Sequence, residues 1–458
     1  MNTQNQTDTK RSSFTGKIGF VLAAAGSAVG LGNIWRFPYL AAQYGGGIFL
    51  LVYILLAVTF GFSLMVAETA IGRKTNLSAI GAFQALDKRF SWVGYLASAV
   101  PIIILPYYSV IGGWVMKYIF GFITGEGSQM ADSNFFPNYT STTAEPLIWF
   151  FAFIAITSVI VFFGVEKGIE KVSKIMMPIL IFLILFIVIY ALFTMENALD
   201  GVIYYIKPDF SKFSIMTVVA AMGQMFYSMS LSMGIMITFG SYMKKDIDIS
   251  KSIHQIELFD TGIAFLSGLL IVPAVFAFSG GDESALGQGP GLMFVTLPKI
   301  FNTMPAGNVI GCVFFIMVFF AALTSAISLM ETVVSIFMDK AKLNRKLSCI
   351  VVFASSLLLG IPSSLGFSVW SKVKILGLQF LDLFDFISNN IMMPVAAFAT
   401  CIFVGYFIKP KTIIDEVAVD GKFKEEKLFS VVIRFIAPVC IVTILISSIL
   451  NVFGIIKI

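Results

Sequence analysis

The sequence predicts an all-α integral membrane protein with 11 transmembrane helices. Of its 458 residues, 58% are hydrophobic and only 12% are charged, whereas a soluble domain has about 25% charged residues. The apolar residues form runs long enough to cross a bilayer, and small polar residues interrupt two of these runs at mid-membrane depth. This composition excludes a soluble enzyme, a nucleic-acid-binding protein and a disordered chain.

Eleven apolar runs meet the requirement of about 20 residues for a spanning helix. The first run is not a signal peptide, because it is too long, contains glycines and precedes no small-residue cleavage site. The predicted spans 1 to 11 cover residues 18–40, 48–70, 93–120, 147–163, 172–194, 215–243, 256–278, 306–338, 348–366, 375–407 and 429–452.

The basic residues predict the orientation of these spans. With the N-terminus in the cytoplasm, 23 of the 31 Lys and Arg residues fall on the cytoplasmic side and 8 on the other side. Short loops rich in Lys and Arg stay in the cytoplasm. We therefore expect a multi-pass protein of the cell (inner) membrane with a cytoplasmic N-terminus and an extracellular C-terminus.

The sequence has few residues for a metal centre or a catalytic triad. His254 is its single histidine, and both kinds of site need several converging partners. The four cysteines lie in apolar runs or at their edges, and we expect free thiols: Cys312, Cys349, Cys401 and Cys440. We do not expect an enzyme.

Spans 1 and 6 both carry small polar residues at mid-membrane depth. These residues are Gly26, Gly30, Gly32 and Asn33 in span 1, and Ser228, Ser230, Ser232 and Gly234 in span 6. In a single span, close helix packing explains such residues equally well. Because the two spans are five apart, tandem five-helix units would have opposite orientations, and a matched pair of interrupted helices is typical of a transporter.

This repeat predicts one transport domain over residues 1–458, with inverted repeats at 18–194 and 215–407 and an extra helix at 429–452. An unwound helix in lipid exposes peptide groups that each cost several kcal/mol when unpaired, so a break persists where it lines a cavity. The freed N–H groups can bind an anion, and the freed carbonyls can bind a cation. A zwitterionic amino acid beside a cation satisfies both.

Five segments carry a resemblance to a known family: AGSAVGLGNIWRFPY at 25–39, PYYSVIGGW at 106–114, GQMFYSMSLSMG at 223–234, FAALTSAISLMETVVSIFMD at 320–339 and FDF at 384–386. Over nearly its whole length the chain resembles the neurotransmitter:sodium symporter family, specifically its eleven-span bacterial amino-acid transporters. The resemblance implies a leucine-transporter-like fold, with unwound helices 1 and 6, that imports amino acids with sodium by alternating access.

The resemblance also implies a substrate site. The groups expected at the substrate carboxylate are the N–H groups of Leu31 and Gly32 and the hydroxyl of Tyr108. The groups expected at the amine are the carbonyls of Ala28, Tyr227 and Ser228 and the hydroxyl of Ser230. The expected pocket wall comprises Ile104, Tyr108, Tyr227, Met233, Ser325 and Leu329, and Gly30 takes the position where monoamine carriers have Asp.

Two sodium sites follow from the same resemblance. The first is expected to use the substrate carboxylate together with the Ala28 carbonyl, the Asn33 side chain, Ser228 and Asp260. The second is expected to use the carbonyls of Gly26, Val29 and Ala321 and the hydroxyls of Thr324 and Ser325. Shells made only of oxygen suit a hard cation.

Two departures from the family pattern refine the prediction. Asp260 stands where relatives often have Asn, and Ala264 stands where chloride-dependent relatives have Ser. We expect the Asp260 carboxylate to ligate sodium and to replace chloride, so transport should not require chloride. Met233, which follows Ser232 in place of a family Gly, adapts to large ligands, and we expect neutral substrates that are bulky and hydrophobic or aromatic.

The resemblance further implies gates. Arg36 and Asp385 match an extracellular pair, whereas Arg11 and Asp339 match an intracellular pair that Tyr242 completes. Glu68 matches a carboxylate that hydrogen-bonds the unwound backbone of span 6. The sequence assigns no role to the intramembrane Glu331, and His254 is interpreted as an interfacial residue.

Two alternatives remain open at this point. One is a proton-coupled carrier on the same fold, with Asp260 as the proton site. The other is an amino-acid receptor that does not transport. The expected partners are the amino-acid substrate and membrane lipid, without nucleic acid, and the sequence leaves the oligomeric state open.

Overall fold

The computed structural model describes residues 13–195, 198–279 and 290–452, and these residues are almost entirely helical. Among them, the only extended pairings are two isolated bridges, Gly46 with Pro208 and Ile375 with Leu378. The all-helical prediction is confirmed for these ranges.

The membrane helices follow the predicted order. The described residues contain nine helices long and apolar enough to cross a membrane, and a bent pair makes a tenth. The nine are Gly47–Thr75, Lys88–Ile123, Ala144–Phe162, Val165–Thr194, Ile249–Phe278, Gly307–Lys340, Arg345–Leu365, Phe380–Phe407 and Glu426–Leu450, which we number spans 2 to 5 and 7 to 11. Span 6, Ile215–Ser228 followed by Ile235–Gly240, makes the arrangement compatible with eleven.

Several helices extend beyond the predicted apolar runs. Span 7 begins at Ile249, seven residues before the predicted start, because its first two turns are polar and hydropathy detects only the apolar part. Shorter helices connect the spans: Ala79–Leu86, Ala198–Ile206, Leu297–Thr303 and Pro410–Val417. We call the side with the predicted cytoplasmic loops the inner face and the opposite side the outer face.

Spans 1 and 6 are broken where the sequence predicts. Span 1 consists of Lys17–Ala28 and Gly32–Gln43, which meet at a bend of 54°. In span 6, the break after Ser228 places Ser230, Ser232 and Gly234 at φ values of 52°, 60° and 71°. Such positive φ angles cost an L-residue about 1–2 kcal/mol, so the two serines need compensating contacts.

The inner half of span 6, Ile235–Gly240, packs directly on span 2. A Cβ atom on Gly72 would lie 2.9 Å from the Ser241 nitrogen, and one on Gly240 would lie 2.9 Å from the Thr69 Cα. Real Cβ atoms essentially never approach so closely. Glycine at both positions therefore lets the two backbones touch, as small residues do in membrane helix pairs.

Candidate functional site

A small cavity lies between the two breaks and spans 3 and 8. All twelve residues predicted at the substrate line it, together with three others, Ser27, Asn33 and Ile235. Its volume is about 30 Å³, close to the share of one water molecule in the liquid. The walls therefore need to separate before an amino acid can enter.

The backbone of the span 1 break faces hydroxyl groups. The Leu31 N–H donates to the Tyr108 hydroxyl at 3.3 Å. A Cβ atom on Gly30 would lie 2.8 Å from the Ser325 Oγ and 3.0 Å from the Tyr108 hydroxyl. Glycine at position 30 thus keeps side-chain atoms out of the narrowest part of the cavity.

Three residues predicted at the first sodium ion form a buried cluster. The Ser228 hydroxyl donates to Asp260 Oδ1 at 2.7 Å, and Asn33 Nδ2 donates to the same oxygen at 2.7 Å. The Asn33 amide oxygen accepts from the Gly30 N–H at 3.0 Å. The Asp260 carboxylate and the Ser228 hydroxyl supply oxygens of the kind that a hard cation prefers, whereas Asn33 presents its Nδ2 to both of them.

Tyr53 completes this cluster. Its hydroxyl donates to Asp260 Oδ2 at 3.0 Å, and both side chains are fully buried. The sequence analysis missed Tyr53, because a tyrosine in an apolar span gives no signal of its own. The available signal was Asp260, since a carboxylate inside the membrane needs donors.

The residues predicted at the second sodium ion also converge. The Ser325 hydroxyl lies 3.3 Å from the Gly26 carbonyl oxygen and 3.2 Å from that of Val29. The Thr324 hydroxyl donates to the Ala321 carbonyl at 3.2 Å. Oxygen atoms of spans 1 and 8 are therefore within hydrogen-bonding distance of one another.

Two serine contacts hold the break of span 6. The Ser230 hydroxyl donates to the Ser27 carbonyl of span 1 at 3.1 Å. Glu68 Oε1 accepts from the backbone N–H of Ser232 at 2.8 Å and from its hydroxyl at 3.2 Å. The contact expected between Glu68 and the unwound backbone is present in the structure.

A second cavity of about 600 Å³ lies on the outer side, and Tyr227 lines both cavities. Arg36 lies over the Tyr227 ring, 5.4 Å from its centroid. Asp385 Oδ1 accepts from Tyr107 at 3.1 Å and from Asn389 at 2.6 Å. Arg36 and Asp385 both line this outer vestibule, but these two described residues form no ion pair.

The inner side is packed: the ring of Phe14 lies edge-on against those of Phe239 and Tyr242, and all three side chains are buried. Arg11 lies outside the described residues, and Asp339 accepts from the Ser78 N–H at 2.7 Å. Tyr242 donates to Glu331 at 2.7 Å, and Arg345 forms an ion pair with the same carboxylate. Glu331, to which the sequence assigned no role, therefore joins the predicted gate residue Tyr242 to span 9.

Two broken helices, oxygen-lined cavities at their breaks and an outer vestibule together define a secondary transporter. Consistent with this class, the sequence model of the sodium:neurotransmitter symporter family matches residues 11–134 and 141–455. The chain belongs to this family, which confirms the resemblance found from the sequence. It is a sodium-dependent symporter of the multi-pass membrane type and not an enzyme.

Relatives extend this comparison. The chain is 35% identical to the sodium-dependent transporter YhdH of Bacillus subtilis, with 96% of this chain and 97% of the relative covered. It is 25% identical to the sodium- and chloride-dependent GABA transporter 2 of Rattus norvegicus, covering 77% and 67%. The crystal structure of MhsT in complex with L-phenylalanine matches with 38% identity and a TM-score of 0.86, covering 96% and 100%.

Proposed function

We propose that this protein imports neutral, bulky hydrophobic or aromatic L-amino acids together with two sodium ions and without chloride. The observation that carries the proposal is the cavity at the two breaks, which is lined by peptide groups and hydroxyls and whose lining residues Asn33 and Ser228 bond the buried Asp260 carboxylate. Membership of a sodium-dependent family favours this function over a proton-coupled carrier or a receptor.

The polar part of the cavity supports a zwitterionic substrate. The N–H groups of Leu31 and Gly32, with the Tyr108 hydroxyl, would bind the substrate carboxylate at the positive end of a half-helix. The Ala28 carbonyl and the Ser230 hydroxyl would accept hydrogen bonds from the ammonium group. Because residue 30 is a glycine, this position supplies no carboxylate to replace that of a substrate which lacks one.

The apolar part of the cavity supports the substrate class. Ile104, Met233 and Leu329 also line it, and a methionine side chain adapts its shape to the ligand. The similar protein MhsT was crystallised with L-phenylalanine. An aromatic or branched side chain would displace these residues and enlarge the cavity.

Asp260 supports chloride independence. The hydrogen bonds and ion pairs of the described residues give Asp260 no basic partner, so its negative charge is available to a cation. Sodium ligated there would join the Asp260 carboxylate to the substrate carboxylate, which couples the two cargoes.

The two faces support alternating access. The vestibule adjoins the cavity at Tyr227, which lines both, whereas Phe14 and Tyr242 are buried on the inner side. This arrangement fits loading from outside with the N-terminus in the cytoplasm. Residues 18–194 and 215–407 would form the inverted repeats. Two sodium ions at 100 mV supply about 4.6 kcal/mol, which corresponds to roughly thousandfold accumulation.

Uptake of radiolabelled leucine, phenylalanine and tryptophan into proteoliposomes tests the proposal. We expect accumulation with an inward sodium gradient, none with potassium at the same pH, and no change when gluconate replaces chloride. Competition by the other amino acids ranks the substrates. Selective uptake of glycine or lysine, or loss of uptake in gluconate, would contradict the corresponding part of the proposal.

A further inference from the structure

The connection between spans 10 and 11 is attached to the inner ends of spans 2 and 7 and to the loop after span 6. We call residues 409–425 of this connection the inner strap. The strap begins directly after span 10 and contains the helix Pro410–Val417. Its attachments are made by two carboxylates, Glu416 and Glu425.

Glu416 lies in a buried ion pair with the last turn of span 2. Arg73 Nε donates to Glu416 Oε1 at 2.9 Å, and the exposed fractions of the two side chains are 0% and 5%. A second Arg73 nitrogen donates to the Ile247 carbonyl at 2.6 Å, and a third donates to the Glu416 carbonyl. Arg73 thus joins span 2, the loop after span 6 and the strap.

Two further contacts reinforce the attachment. Lys245, which is half exposed, pairs with Glu416 at 2.6 Å. At the other end of the strap, Glu425 Oε2 accepts from the Ser250 hydroxyl at the start of span 7 at 3.1 Å. The strap is therefore held at its middle and at its C-terminal end by side chains that belong to spans 2 and 7 and to the loop between spans 6 and 7.

These contacts link the two faces of the protein. Because Gly72 and Gly240 bring the backbones of span 2 and the inner half of span 6 together, these two segments form one packed unit. Span 10 carries Asp385 at the outer vestibule and leads into the strap at the inner face. If Asp385 moved towards Arg36, span 10 would transmit this displacement to the strap and would pull on the Arg73–Glu416 contact.

We propose that Arg73 and Glu416 are positioning residues that keep the inner face closed while the outer vestibule is open, and that their contact separates when the cavity opens inward. This inference rests on the alternating access proposed above. The pair touches neither cavity, and it acts by attaching span 10 to the unit formed by span 2 and the inner half of span 6.

The burial of the pair determines how it should respond to substitution. Removing one partner leaves an uncompensated charge in the closed state, which is strongly unfavourable, whereas replacing both by apolar residues of similar volume is often neutral. Opening the inner face would let water reach the remaining charge. A single substitution should therefore favour the inward-open state, and a paired substitution should restore the closed state.

A cysteine reporter at the inner end of span 6 measures this response. Ser241→Cys is introduced after Cys312, Cys349, Cys401 and Cys440 are replaced by alanine, and inside-out vesicles are treated with a membrane-impermeant thiol reagent in sodium. We expect Glu416→Gln to raise the modification rate about tenfold or more. The pair Arg73→Met with Glu416→Met should return the rate to within about threefold of the parent.

Two further variants provide controls. Lys245→Gln removes only a half-exposed partner of Glu416, and we expect a rise of about two- to threefold without a folding defect. Glu145→Gln breaks the Lys117–Glu145 ion pair of 2.7 Å at the outer face, and the reporter rate should stay at the parental value.

The outcomes separate this inference from the proposed function. Unchanged rates in both Glu416→Gln and Lys245→Gln would overturn the inference, as would equal increases in Glu416→Gln and in the paired variant. If the reporter cysteine in the parent protein were modified at the same rate in sodium and in potassium, that result would instead contradict the sodium-coupled cycle. The assay contains no amino acid, so it does not depend on the substrate class.

Discussion

The outer and inner sides of the central cavity differ in how their charged groups are held. On the outer side, Arg36 lies over an aromatic ring and Asp385 accepts hydrogen bonds from Tyr107 and Asn389, beside a vestibule of about 600 Å³. On the inner side, Glu331 pairs with Arg345, and Glu416 pairs with Arg73, with both carboxylates buried. Under the alternating access proposed above, opening the inner side would separate buried charges, whereas closing the outer side would bring two charges together.

This difference indicates how substitutions of charged residues on the two sides should differ in their effects. A surface ion pair contributes about 0–1 kcal/mol, but a buried pair that loses one partner destabilises a protein by about 3–5 kcal/mol. Changes to inner charges should therefore affect stability and conformation together. Changes to outer charges should affect the transport rate with little change in stability.

Glu331→Gln is expected to have the largest effect, because Arg345 would keep its charge beside a neutral group. We expect the stability of the closed state to fall by about 3–5 kcal/mol and uptake to fall more than about 100-fold. Thermal unfolding in detergent and uptake measure the two effects. Asp87→Asn, which removes the exposed Asp87–Arg89 pair, should leave both near the parental values, and a parental melting temperature in Glu331→Gln would contradict the contrast between the faces.

Gly30→Ala should have the next largest effect and should favour neither face, since Gly30 lies between them. The added methyl group would meet Ser325 and Tyr108, and overpacking of this kind costs about 1–3 kcal/mol. Equilibrium binding of labelled phenylalanine should weaken about 10- to 100-fold. Gly223→Ala is the matched control, because a Cβ atom there meets nothing within 4 Å, and equal losses in both variants would refute the steric explanation.

Asp385→Asn sharpens the comparison from the outer side. Since Asp385 and Arg36 form no ion pair in this conformation, the substitution leaves no buried arginine without a partner. We expect a change in stability of at most about 1 kcal/mol but uptake reduced about tenfold, because the gate closes more weakly. Asp382→Asn on the same cavity wall should transport normally. A large loss of stability in Asp385→Asn would show that charged residues on the outer side stabilise the protein as much as those on the inner side.

Ser232→Gly should have the smallest effect, because two contributions oppose each other. The substitution removes the hydrogen bond from the Ser232 hydroxyl to Glu68, which contributes about 0.5–1.5 kcal/mol. It also removes the strain of the positive φ angle, which costs an L-residue about 1–2 kcal/mol. Ser232→Ala loses the same bond and keeps the strained backbone. We expect Ser232→Ala to melt below Ser232→Gly, and the reverse order would show that backbone strain is not significant there.

Much of the site was predictable because its signals are local. Gly26, Gly30 and Gly32 stand close together in one apolar run, and a second such run marks span 6. The twelve residues predicted at the substrate all line one cavity. Tyr53 was not predictable, since its role depends on contact with Asp260, 207 residues away.

The sequence alone therefore determined the membrane class, the two breaks and the family, because hydropathy, helix-breaking residues and motifs are properties of short segments. Only the tertiary structure decided which charges pair, as in Arg73 with Glu416, which are 343 residues apart. It also decided that the outer vestibule is open and the inner side packed. Both features depend on contacts between residues far apart in the chain, which no short segment encodes.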